Sequence, residues 1–141
     1  MIKNIIICLC CTLLLSACEK PPEFTISNVI IKEMPPGRAM AVAYLRIENF
    51  QDTNLVLNYI HTPVAESVAV HRSLYEGGMM KMREVKHLSV NAGNAIVFQP
   101  RSFHLMLIGV ERQLKDGELV PLTFEFEGFA PRTVVAEVQR L

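Results

Sequence analysis

Beyond residue 18 the chain has no cysteine: all four, Cys8, Cys10, Cys11 and Cys18, fall in the first 18 of its 141 residues. Net charge is missing too, with 14 Lys and Arg against 14 Asp and Glu. That balance removes the cationic footprint of a protein that neutralises nucleic-acid phosphates. The apolar run Ile5 to Leu15 has 11 residues, short of the roughly 17 to 25 that a helix needs to cross a bilayer. No Gly-x-Ser-x-Gly, phosphate loop, dinucleotide fingerprint or His-Glu-x-x-His occurs. The chain therefore reads as a protein without enzymatic machinery. Nothing sustains a helical period of 3.6 for long. Disorder is excluded by an apolar content of 50%, and the length suits one domain with a single core.

The cysteine-rich start has its own logic. One cation, Lys3, precedes the apolar run, and 13 of the first 17 residues are apolar, the pattern of a secretory leader. Leu15-Ser16-Ala17-Cys18 resembles the bacterial lipobox, in which the cysteine is acylated and becomes the first residue. Residues 1–17 are thus expected to be a signal peptide, with Cys18 the lipidated residue and 18–23 a short tether. Pro21 and Pro22 stiffen that tether, and six residues span at most roughly 20 Å, so the domain at 24–141 is expected close to the membrane. Glu19, not Asp, follows the cysteine, which resembles an outer-membrane address in enteric-type sorting. Processing would leave 124 residues with 13 basic and 14 acidic groups. An acylated Cys18 has no thiol, so the domain would hold neither a disulfide nor a thiolate ligand.

From Phe24 onward, short runs of Val, Ile, Leu and Phe alternate with turn signals such as Met34-Pro35-Pro36-Gly37, Gln51-Asp52, Glu76-Gly77-Gly78, Asn91-Ala92-Gly93, Asp116-Gly117 and Gly128. Such punctuation predicts strands, at 25–32, 39–48, 54–61, 66–73, 79–85, 94–98, 103–108, 118–127 and 133–140. Several have one wet face, as where Leu122, Phe124 and Phe126 alternate with Thr123, Glu125 and Glu127. The expected fold class is all-β, a mostly antiparallel sandwich of two sheets.

With thiolate gone, the soft donors left are histidine and methionine. Met79, Met80 and Met82 fall within four positions, and His104 and Met106 stand two apart, on one face of a strand. His71 ends the apolar run Val68-Ala69-Val70. Imidazole plus thioether without thiolate suits Cu(I), whereas zinc takes His, Cys or carboxylate. A blue-copper electron carrier is disfavoured, because its defining bond is to cysteine. His61 and His87 read as solvated, Met34 and Met40 as packing residues beside the Pro-Pro-Gly turn, and Met79 and Met80 as auxiliary ligands. The residues alone also allow a metal-free structural or adaptor lipoprotein.

Ten residues separate His71 from Met82, twenty-one separate Met82 from His104, and one separates His104 from Met106. This pattern resembles the copper motif of the PCu(A)C family of periplasmic copper chaperones. The surroundings are similar as well: Ala43 to Asn49, Val70-His71, Met80-Lys81-Met82, Phe98 to Pro100, Leu114 to Gly117 and Leu122 to Phe126. The resemblance covers roughly residues 24–138. It departs where members often carry Gly-Gly after the proline, since Arg101-Ser102 stands there. What the resemblance implies is a cupredoxin-like Greek-key β-sandwich with one exposed Cu(I), held by His71, Met82, His104 and Met106. It implies delivery of copper to the copper subunit of cytochrome c oxidase, often with a thioredoxin-like assembly partner. The expected location is the periplasmic side of a bacterial membrane. Sequestration of copper for tolerance would use the same residues.

Overall fold

The computed structural model describes residues 21–140. The expected signal peptide, Cys18 and the first residues of the tether lie outside the described residues. Ten strands follow in order: β1 (Phe24–Lys32), β2 (Met40–Asn49), β3 (Leu55–His61), β4 (Ser67–Glu76), β5 (Met79–Glu84), β6 (Leu88–Val90), β7 (Ala95–Phe98), β8 (Phe103–Ile108), β9 (Leu119–Phe126) and β10 (Arg132–Gln139). Among the described residues there is no helix, and so none long and apolar enough to cross a membrane.

Alternation decides which side of each strand is buried. In β2 the inward set is Ala41, Ala43, Leu45, Ile47 and Asn49, while the intervening Val42, Tyr44, Arg46 and Glu48 are partly exposed and Met40 is exposed. In β9 the inward set is Val120, Leu122, Phe124 and Phe126. The apolar members of both sets join Phe24, Ile31, Phe98, Leu105, Leu107 and Val138 in one core. Each such aliphatic or aromatic side chain contributes about 1.5–3 kcal/mol by leaving water.

The two layers form one continuous ladder, ordered β5-β4-β8-β7-β2-β1-β10-β9-β3-β6, in place of two separate sheets. The ladder folds back on itself, bringing β3 against β4 and β6 against β2. β1 makes the fold-back possible. It pairs antiparallel with β2, shifts register between Ser27 and Ile30, and then pairs parallel with β10 through Ile30, Ile31 and Lys32. Asn28 sits in that irregularity with φ 53°, and such a bulge bends and twists the strand that carries it. Pro121 in β9 is tolerated beyond the last β3–β9 pair, His61 with Thr123, where no ladder donor is required of it.

Two differences from the expected strands bear on function. β4 runs three residues past Ser73 and turns into β5 through Gly77-Gly78, both with positive φ, at 60° and 80°. A two-residue turn of this hand matches strand twist and needs glycine. It gives the hairpin a strict register as far as Glu76 opposite Met79. The tenth strand, β6, was not expected, being only three residues of which Leu88 and Val90 are buried.

Candidate metal centre

Register brings distant residues onto one surface. Between β4 and β8, His71 lies opposite His104 and Ala69 opposite Met106. Between β4 and β5, Ser73 lies opposite Met82 and His71 opposite Glu84. Opposed residues share a face of the sheet, as do residues two apart on one strand. His71, Met82, His104 and Met106 therefore project from the same face, while Val70, Leu105 and Leu107 on the reverse face enter the core. β2 widens the surface: Val42 lies opposite Met106 and Met40 opposite Ile108.

The two imidazoles are neighbours with ring centroids 5.8 Å apart and planes inclined at 62°. His104 is buried, and its Nδ1 lies 3.1 Å from the Ser102 carbonyl. A carbonyl can only accept, so Nδ1 carries a proton, which in the neutral ring leaves Nε2 as the free donor atom, the arrangement that orients a metal-binding histidine. The same carbonyl accepts the Ser73 amide at 3.0 Å, tying β8 to β4 beside the site. His71 is different: its Nδ1 is buried without a hydrogen-bond partner. Burial, and then the proximity of His104, hold the His71 pKa below its ordinary value, with Glu84 pulling the other way. Burial and the neighbouring ring therefore favour the neutral imidazole, the form that binds a metal.

The turn that supplies the Ser102 carbonyl runs from β7 to β8. Gln99 N–H donates to the Phe103 carbonyl and Ser102 N–H to that of Gln99. Arg101, at its tip, has φ 64°. This is the left-handed region where glycine is at ease and a side chain is strained. The departure noted in the sequence therefore falls on a residue whose backbone is one that glycine suits.

Met82, His104 and Met106 line an open cleft of about 450 Å³, shared with Met40, Tyr44 and Ser73. His71 is not part of its wall and meets the site through the His104 ring. Met82 is 64% exposed, so its thioether is open to solvent at the mouth of the cleft. Of the auxiliary pair, Met80 opposes Tyr75, two residues from Met82 and on the same face, whereas Met79 opposes Glu76 and points the other way. Both are exposed, and neither lines the cleft. His87 is exposed, and His61 is also exposed with Glu125 3.7 Å from its Nδ1. Met34 is buried as a packing residue, but Met40 is not: it is 55% exposed and faces the cleft. Its place on the outward side of β2, which the turn next to it does not reveal, accounts for that correction. Among the described residues no three His, Cys, Asp or Glu side chains gather to hold a metal. Among the described residues a donor set gathers only when thioethers are counted.

Comparison with known proteins agrees with this fold. The solution structure of CuI-DR1885 from Deinococcus radiodurans superposes with a TM-score of 0.70 at 27% identity, over 89% of this chain and 83% of that one. The copper-bound PCuAC domain from PmoF2 gives a TM-score of 0.73 at 17% identity, over 85% and 95%. A curated protein of Leifsonia xyli subsp. xyli, described as "Putative lipoprotein Lxx21020", is 23% identical over 104 residues, 73% of this chain and 63% of that protein. The chain thus spans less than two thirds of that relative's length. Residues 24–138 match the family model described as "Putative lipoprotein LpqE-like". The fold is the cupredoxin-like β fold of PCuAC domains, and the chain belongs to the LpqE-like family.

Proposed function

We propose that this protein is a lipid-anchored, extracytoplasmic copper carrier that holds one Cu(I) through His71, Met82, His104 and Met106. The observation that carries the reading is the opposition of His71 and His104 on the face that also bears Met82 and Met106. The buried, unpartnered His71 nitrogen supports it, because a cation would satisfy a group otherwise left orphaned. The likeness to a domain solved with Cu(I) supports the choice of metal.

The donor chemistry suits transfer. Neutral thioethers need no deprotonation and form no disulfide, so the site works in an oxidising compartment. Their weakness is oxidation to the sulfoxide. An open cleft lets the acceptor's ligands bind copper before the donor's let go. The recipient in this reading is the copper centre of cytochrome c oxidase or another copper enzyme, with a thioredoxin-like assembly partner. Cys18 fixes the domain, 24–141, on the periplasmic side of the membrane, and the tether 18–23 keeps it near the surface.

A Cu(I) competition titration tests the site. Replacing Met82 and Met106 together by leucine lowers affinity by about tenfold or more, roughly 1.4 kcal/mol per decade, while the circular dichroism spectrum is kept. Unchanged affinity in that double variant contradicts the proposal. Loss of oxidase activity in a strain lacking the protein, without a gain in copper sensitivity, is the expected sign of delivery.

A further inference from the structure

Met40 has no role in the four-ligand set, yet its position is not that of a packing residue. β2 is paired on both sides, with β1 on one and with β7 and β8 on the other, so residues at its outward positions face either solvent or a ligand. Met40 is 55% exposed there, whereas Met34, across the Pro-Pro-Gly turn, is 2% exposed. Val42 is the partner of Met106, which makes Met40 the diagonal neighbour of Met106 on the same face. Diagonal positions lie about 7–8 Å apart, within reach for long flexible side chains. The same cleft wall contains Met40, Met82, His104 and Met106, and no Asp or Glu. Its side-chain donors are three thioethers, one imidazole and the hydroxyls of Tyr44 and Ser73. Hard cations find no carboxylate there, and a soft one finds three sulfurs.

Building on the copper-carrier reading, we propose that Met40 is a further thioether ligand, which binds Cu(I) with Met82 and Met106 when His71 is disengaged. His71 stands off the cleft wall, so it is the ligand an ion entering from solvent meets last. Met40 is on the wall and is met early. In the exchange a Met40 Sδ–Cu bond forms as the His71 N–Cu bond breaks, or the reverse on loading. Both donors bind as neutral groups, so no proton moves, and the ion remains Cu(I) throughout. A closed-shell ion imposes no fixed geometry that would forbid the change of partner. Met40 thus makes the cleft a staging position between solvent, or an acceptor's ligands, and the deeper site.

The test uses the full chain in detergent micelles, labelled with ¹³C at the methionine methyls. Cu(I) is added without oxygen up to one equivalent. The methyl resonances of Met40, Met82 and Met106 all move, and that of Met34 does not. In His71→Ala the Met40 shift persists and grows. Adding Met40→Leu to His71→Ala then lowers Cu(I) affinity by a further tenfold or so, whereas Met40→Leu alone lowers it by less than about threefold, because ligands that replace one another are non-additive. A Met40 methyl that stays put while those of Met82 and Met106 move overturns the proposal and leaves the copper site standing. If no methionine methyl moves, the copper-carrier reading itself fails, and this inference with it.

Discussion

His71 and His104 face each other across β4 and β8 at 5.8 Å, yet their surroundings are opposite in kind: one has its Nδ1 buried and unpartnered, the other has it bonded to the Ser102 carbonyl. The pair predicts opposite responses to the same substitution. In metal-free protein, His71→Leu removes an unsatisfied buried nitrogen and is expected to raise stability by about 1–2 kcal/mol. His104→Leu removes a satisfied hydrogen bond and is expected to lower stability by about 1 kcal/mol. Both lower Cu(I) affinity. Urea unfolding without copper checks the signs.

Arg101 offers a second test, because its φ of 64° places a side chain where glycine is at ease. The left-handed conformation disfavours a non-glycine residue by about 1–2 kcal/mol. Glycine's greater freedom in the unfolded chain offsets about 0.5–1 kcal/mol of that. Arg101→Gly is therefore expected to stabilise the protein by about 0.5–1 kcal/mol and to leave Cu(I) affinity unchanged. A loss of affinity would mean that the guanidinium, not the turn, serves the site.

Asn49 ties the end of β2 to the loops around it. Its side chain is fully buried, its amide nitrogen donates to the carbonyls of Thr53 and Val90 at 2.8 and 3.0 Å, and its Oδ1 accepts the Gln51 amide at 3.1 Å. Asn49→Ala strands these groups and is expected to lower stability by about 2–4 kcal/mol, read as a fall in the urea midpoint.

Acid stability has a local origin at the chain's end. Arg140 Nε donates to Glu33 at 2.7 Å, and this bond, followed by that from the Asp116 amide, holds the Glu33 carboxyl below its ordinary value of 4.5. A carboxylate with a lowered folded pKa contributes stability in full above its unfolded pKa and loses it as pH falls through the folded pKa. Thermal unfolding from pH 6 down to pH 3 is therefore expected to show a decline beginning near pH 4.5, and a shallower one in Glu33→Gln.

Much of the fold was legible because alternation is a local signal. β8 follows from Phe103 to Ile108 as expected, since Leu105 and Leu107 alternate with His104 and Met106. β6 was not legible, because three residues cannot display a period. The extra length of β4 was hidden by the exposed Tyr75 and by Gly77-Gly78, which announce a turn but not how far the strands pair before it. Register is non-local, and so the meeting of His71 with His104 could be anticipated only through the family resemblance. Met40 was misread for the same reason. Nearness to a turn says nothing about which face a residue takes, and the pairing of β2 with β8 decides it.

X-ray absorption of the protein loaded with one Cu(I) tests the central claim most directly. The account predicts a shell of sulfur and nitrogen scatterers that loses sulfur when Met82 and Met106 are replaced by leucine and loses nitrogen when His104 is replaced by alanine. A shell of nitrogen and oxygen alone, unchanged in those variants, would contradict it.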